Sequence, residues 1–232
     1  MLVLQSDGTS PMKGTGKDDH CFRVGLTARL IGQAINKNKQ NKLDKPLDLN
    51  RLEVLGILHD IGCNWERGKQ HPMIGYKYLL EIGCPEDVAS ICLTHSFLDG
   101  DPNCTADGFL IDDKGNVKEN NIVPFENEQD KDFLLNYLEN HEYTLEDKII
   151  NLCDLMVTNK VIGLDNRLHE LLKSKQVNPN FVPNPKHTES AQKLLSEIET
   201  LMGCKMEELF PEIKDKQKGD DYRAKMENVK KV

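Results

Sequence analysis

The sequence predicts an all-α helical bundle, and three observations carry that expectation. Apolar residues recur at helical spacing through most of the chain. Strand patterning is nearly absent outside one short stretch. Gly, Pro, Asp and Asn fall where such helices would begin and end. A length of 232 residues suits one domain, or one domain with an insertion.

Residues 1–18 are rich in Gly, Ser, Thr and Lys and read as a flexible lead-in. A helix is expected after Asp18 or Asp19, both good N-cap residues, with Val24, Ala28, Ile31 and Ile35 as its apolar stripe. The polar run 36–46 reads as a loop. A second helix is expected over Asn50–Ile61, along Leu52, Leu55, Leu58 and Ile61, with Gly62 ending it. Pro72 suits the first turn of a third, which Gly83 stops after Ile82. Pro85 opens a fourth, expected to reach His95 along Val88, Ile91 and Cys92.

Residues 97–127 break the pattern with Asp, Asn, Gly and Pro, and read as an irregular insertion. A small hairpin is expected within it, around Phe109–Val117. Helical spacing resumes at 128–140, 145–162, 164–175 and 188–202. The organisation expected is a lead-in at 1–18, a helical core at 19–203 interrupted at 97–127, and a charged C-terminal extension at 204–232.

Composition narrows the function classes. A net charge of −8 repels the phosphate backbone, which argues against bulk nucleic-acid binding. No apolar run approaches the ~20 residues needed to span a bilayer, so no membrane association is expected. The first 19 residues contain no long hydrophobic stretch of the signal-peptide kind. Seven cysteines, an odd number with no CxxC pair, fit a reducing, cytoplasmic setting. Several of them sit in apolar helical patterns, where cysteine packs as a small hydrophobe.

The informative residues are polar ones on apolar stripes. His20 lies four before Val24 and eight before Ala28. His95 lies four after Ile91 and seven after Val88. Asp154 sits inside Ile149-Ile150-Asn151-Leu152-Cys153-Asp154-Leu155-Met156-Val157, and His59-Asp60 end an apolar helix. A lone buried carboxylate is costly unless it is paired, protonated or bound to a cation. One such histidine is ordinarily a hydrogen-bonded core residue. Several, with aspartates on separate helices, form the kind of set from which bundles build metal sites. Two imidazoles and two carboxylates, His20, His59, Asp60 and Asp154, suit Fe, Mn, Co, Ni, Zn or Mg and leave positions open for water and substrate.

Leu58-His59-Asp60-Ile61-Gly62 resembles the HDIG form of the motif that defines the HD superfamily of metal-dependent phosphohydrolases. His20-Cys21-Phe22-Arg23-Val24 is similar to the superfamily's upstream H-x-x-R-V element, and Asp154 to its distal metal aspartate. His71-Pro72-Met73-Ile74-Gly75 and Ile91-Cys92-Leu93-Thr94-His95-Ser96 look like the two further histidine elements of members that hold a second metal. The bacterial symmetric diadenosine tetraphosphate hydrolases are among those members. The resemblance spans about 20–167 and implies an HD-domain helical bundle.

The resemblance implies one or two divalent ions. His20, His59, Asp60 and Asp154 would hold the first, and His71 and His95 the second, with Asp60 bridging. Asp60, His71 and His95 would then take part directly in catalysis. The substrate class implied is a small phosphorylated molecule, nucleotides included, cleaved at a phosphoester or phosphoanhydride by a metal-activated water. Arg23, Arg67, Lys69, Lys160 and Arg167 are the candidates for holding its phosphates. The plainer reading, solvated surface charge, stands beside each. With a single ion, His71 and His95 would instead orient water or substrate.

Two positions depart from the family pattern. Cys63 follows the HDIG segment where members often carry Lys or Arg, and Leu155 follows Asp154 where many carry Lys. Both remove positive charge beside the expected phosphate site. Two alternatives keep the same residues: a di-iron oxygenase of the superfamily, and a catalytically silent nucleotide-binding module. A homodimer is one option for assembly. His141, His169 and His187 lie among polar residues and are expected at the surface; Trp65 lies close enough in sequence to stack on a base or simply to pack.

Overall fold

In order along the chain, the helices are α1 (Lys17–Lys37), α2 (Leu49–Leu58), α3 (His71–Glu81), α4 (Glu86–Ala89), α5 (Ile91–Thr94), α6 (Glu128–Asn140), α7 (Leu145–Met156), α8 (Leu164–Lys175), α9 (Pro185–Met202) and α10 (Met206–Leu209). Strands β1 (Phe109–Ile111), β2 (Val117–Lys118) and β3 (Phe181–Val182) complete the chain as described. This is a computed structural model, and it describes residues 17–41, 43–66, 70–102, 104–105, 109–111, 117–118, 128–158, 160–175, 181–182 and 185–214.

The bundle grows from the crossing of α1 and α2. Val24, Ala28, Ile31 and Ile35 on one helix and Leu52, Leu55 and Leu58 on the other are buried together. Their backbones meet at two glycines. A Cβ on Gly56 would lie 2.5 Å from the Gly25 Cα, and one on Gly25 2.5 Å from the Glu53 carbonyl oxygen. No side chain fits there, so glycine at both positions brings the two helices within backbone contact. α7 packs against both and buries Ile149, Ile150, Leu152, Cys153 and Met156 completely. Its N-terminus is closed by a capping box between Thr144 and Asp147. α8 and α9 pack on α7, and Met206 and Phe210 of the 204–214 segment join the same core.

The all-α class holds, with one small sheet. β1 pairs antiparallel with β2, which is the hairpin expected within the insertion. β3, from the loop before α9, adds to the other edge of β1 and was not foreseen.

Several element ends differ from expectation. α1 begins at Lys17, ahead of the proposed caps at Asp18 and Asp19. α2 stops at Leu58, and Ile61–Asn64 form a separate 3-10 turn. The expected helix over 85–95 is two short ones, because the chain tightens at Ser90, where the Leu93 N–H donates to the Ser90 carbonyl three residues back. α7 ends at Met156 rather than 162, since Val157 extends to bridge Val161. α9 starts at Pro185, with proline in the first turn. None of the seven cysteines is joined in a disulfide. Among the described residues, no helix is long and apolar enough to cross a membrane.

Candidate metal centre

Six sequence-predicted residues, His20, His59, Asp60, His71, His95 and Asp154, come together between α1, α2, α3, α5 and α7. His20 reaches across from α1, and its Nε2 lies 2.9 Å from Asp154 Oδ1 in the last turn of α7. His59 follows α2 and is fully buried. Its Nδ1 donates to the Gly56 carbonyl at 2.7 Å, which leaves the lone pair on Nε2. That nitrogen is buried and makes no hydrogen bond. It lies 3.4 Å from Asp154 Oδ1 and 3.8 Å from Asp60 Oδ2. An unsatisfied buried acceptor costs about 1–3 kcal/mol, and a cation would satisfy it. The donor atoms of His20, His59 and Asp154 all lie within 4.8 Å of one another. The residues therefore fit a divalent ion.

The other oxygen of Asp60 faces a different group. Oδ1 lies 3.2 Å from His71 Nε2 and 3.5 Å from His95 Nε2, and the two nitrogens are 3.1 Å apart. His95 Nδ1 donates to the Cys92 carbonyl at 2.9 Å, so its Nε2 presents a lone pair, 2.9 Å from Ser96 Oγ. Asp60 thus has one oxygen toward each histidine group, which is how a bridging carboxylate is placed.

Local backbone explains why His71 and His95 arrive there. A Cβ on Gly62 would sit 1.9 Å from the His71 carbonyl oxygen and 2.7 Å from the Gly75 amide nitrogen. The glycine expected to end a helix instead lets the start of α3 dock on the 3-10 turn beside Asp60. His95 is held through its neighbour Thr94. The Thr94 hydroxyl donates to Asp147 Oδ1 at 2.8 Å. The Thr94 carbonyl accepts from Tyr143 Oη and from Asn151 Nδ2, both at 3.0 Å.

Burial alone would raise the Asp60 carboxyl. The imidazoles of His59, His71 and His95 around it outweigh burial and hold the group well below the usual carboxylate range. Asp154 behaves alike: burial pushes up, the neighbouring imidazoles of His20 and His59 pull down, and the net is well below. Burial pushes the Cys92 thiol well above its ordinary value, and the Asp60 charge adds to that.

The candidate cations divide differently. Arg23 and Lys160 are exposed. Arg167 is half-buried on α8, with Nη1 4.0 Å from Glu170 and a buried Nε that makes no hydrogen bond. Arg67 and Lys69 lie outside the described residues. Trp65 is 54% exposed and packs on Tyr78 with ring centroids 4.5 Å apart. His141 is half-buried, and His169 and His187 are buried, which corrects their expected surface placement. α8 and α9 pack against each other and against α7, and these two rings face inward despite polar sequence neighbours.

Sequence reading missed the supports Thr94, Asp147 and Asn151; the pattern Thr144-x-x-Asp147 was the one available signal. It also treated Cys63 only as a lost positive charge, whereas its Sγ donates to Asp60 Oδ1 at 3.4 Å. A cavity of about 530 Å³ opens elsewhere, lined in part by Arg51, Ser90, Tyr137 and His141, and none of the six clustered residues lines it.

The HD domain family model matches residues 18–158 of the chain. An uncharacterized protein of Methanocaldococcus jannaschii is 38% identical over 77 residues, which cover 33% of this chain and 43% of that protein. The match thus spans less than half of that relative's length. No solved structure matches.

Proposed function

Since the chain belongs to the HD domain family, whose members are generally metal-dependent phosphohydrolases, we propose that it hydrolyses a phosphoester or phosphoanhydride in a small phosphorylated substrate, nucleotides included. The observation that carries this reading is Asp60: its two oxygens face two separate histidine groups, and the buried His59 Nε2 of the first group has no hydrogen bond. His20, His59 and Asp154 would hold one ion, His71 and His95 a second, and Asp60 would belong to both. Ions so bound would supply an acidified water and Lewis-acid charge for phosphoryl oxygens, the two contributions that make such hydrolysis fast at neutral pH.

The chain's own residues do the rest. The Gly56 and Cys92 carbonyls fix the tautomers of His59 and His95, so each offers Nε2 without a rotamer search. Asp60 stays ionised throughout the neutral range, because its partners hold its carboxyl well below the usual carboxylate range. Burial of His59, Asp60 and His95 keeps bulk water from competing on the inner side of the cluster. Arg23, Lys160 and Arg167, with Arg67 and Lys69, are the groups available to orient phosphate. Cytoplasmic residence and a homodimer belong to the same proposal.

The test is a screen of phosphorylated metabolites against the full chain, metal-free and loaded with Mn, Co, Ni, Zn, Fe or Mg. Metal-dependent phosphate release supports the reading. Oxygen uptake by the iron form without phosphate release would select the oxygenase alternative, and absence of any bound divalent ion would select the silent binding module.

A further inference from the structure

We propose that Cys63 is a protein ligand of the ion that Asp60, His71 and His95 would hold, giving that ion a mixed sulfur, nitrogen and oxygen shell. The inference rests on the two-ion reading above and goes beyond its ligand set.

The backbone directs the thiol. Asp60 caps the 3-10 turn Ile61–Asn64, and the Cys63 N–H donates to the Asp60 carbonyl at 2.9 Å. In 3-10 geometry the side chains at i and i+3 eclipse, so those of Asp60 and Cys63 leave the turn on one side. The thiol therefore lies 3.4 Å from Asp60 Oδ1, the oxygen that also faces His71 and His95. The donor atoms of Asp60, Cys63 and His71 lie within 4.8 Å of one another. Cys63 is only 7% exposed, which suits a ligand better than a thiol kept for solvent chemistry.

The spacings around Asp60 Oδ1 match one shell. Donor atoms held about 2.0–2.3 Å from a tetrahedral ion are about 3.3–3.8 Å apart. Asp60 Oδ1 is 3.4 Å from Cys63 Sγ, 3.2 Å from His71 Nε2 and 3.5 Å from His95 Nε2. His71 and His95 Nε2 are 3.1 Å apart.

On ligation the S–H bond breaks, its proton leaves to solvent, and the sulfur lone pair forms the bond to the ion; no electron is transferred. The site gains one negative charge and a soft donor. Zinc, cobalt or ferrous iron is then favoured there over magnesium. A position at which family members often carry a cation instead tunes metal choice in this chain.

Cobalt reads this directly. The metal-free full chain is titrated with Co(II) and followed in the near-ultraviolet. The expected result is a thiolate-to-cobalt charge-transfer band that grows with the second equivalent. Cys63→Ser loses the band and weakens second-ion binding by at least the ~10–100-fold typical of a lost outer-shell partner. Cys21→Ser keeps the band, which separates Cys63 from the other thiol near His59 and Asp60. Two bound cobalt ions without a band overturn the inference while leaving the two-ion reading intact, as does a band that survives Cys63→Ser. A chain that takes up no cobalt, zinc or manganese overturns both. If Cys63→Ser fails to fold, X-ray absorption on the zinc-loaded parent decides: a sulfur scatterer at about 2.3 Å supports ligation, and a shell of only nitrogen and oxygen refutes it.

Discussion

The two sides of the cluster are built on different foundations. His20 and Asp154 stand on α1 and α7, long helices whose apolar stripes are buried throughout, and His59 follows directly on α2 at the same crossing. His71 and His95 stand at element ends: the first residue of α3, and the position just after the four-residue α5. Core packing fixes the first side. A glycine contact at Gly62 and the hydrogen bonds around Thr94 fix the second. The first side should therefore be rigid and costly to disturb, and the second open to adjustment by residues that touch no metal.

The most severe way to break this division is to remove its shared member. Asp60→Ala should abolish binding of both ions and lower hydrolysis by more than the ~10²–10³-fold that one lost transition-state donor costs. Activity within about tenfold of the parent would refute the assignment.

Changes confined to one side should separate the ions. Asp154→Ala and His95→Ala should each reduce metal content from two ions to one, and the remaining ion should differ between them. Equilibrium dialysis with elemental analysis checks this. Unchanged stoichiometry in His95→Ala would favour a single ion with His95 orienting water or substrate.

A gentler probe is Thr94→Val, which keeps shape but removes the hydroxyl that donates to Asp147. We expect a loss of about 1–3 kcal/mol in urea unfolding. Second-ion affinity should fall about tenfold, with the first unchanged. Equal weakening of both ions would contradict the division into two independently supported sides.

The smallest effect is on acid stability of the metal-free chain. The Asp60 and Asp154 carboxyls are depressed in the folded state. Their contribution is complete above the unfolded carboxyl value of about 4 and is lost as pH falls through the lower folded values. Denaturant midpoints should drop below about pH 4, and less steeply in Asp154→Asn. An identical acid profile in that variant would show that Asp154 contributes nothing of this kind.

His20, His95 and Asp154 stood out in the sequence because a polar residue at a core position of an apolar stripe is anomalous. The helices over 128–140 and 164–175 were readable from spacing alone. What escaped depends on contacts between elements. Gly62 reads as a helix stop, and only the approach of the His71 carbonyl reveals its role. The tightening at Ser90 and the third strand at 181–182 follow from tertiary pairing. His169 and His187 were misplaced because burial is set by the helices packed over them, not by their sequence neighbours. Cys63 was passed over because a helix was expected to run up to Gly62, where a separate 3-10 turn stands instead.

The most direct test of the central claim is the count of ions in the parent, Asp154→Ala, His95→Ala and Asp60→Ala chains under one buffer. The account predicts two, one, one and none. Two ions retained without Asp60, or none in the parent at any divalent metal, would contradict it.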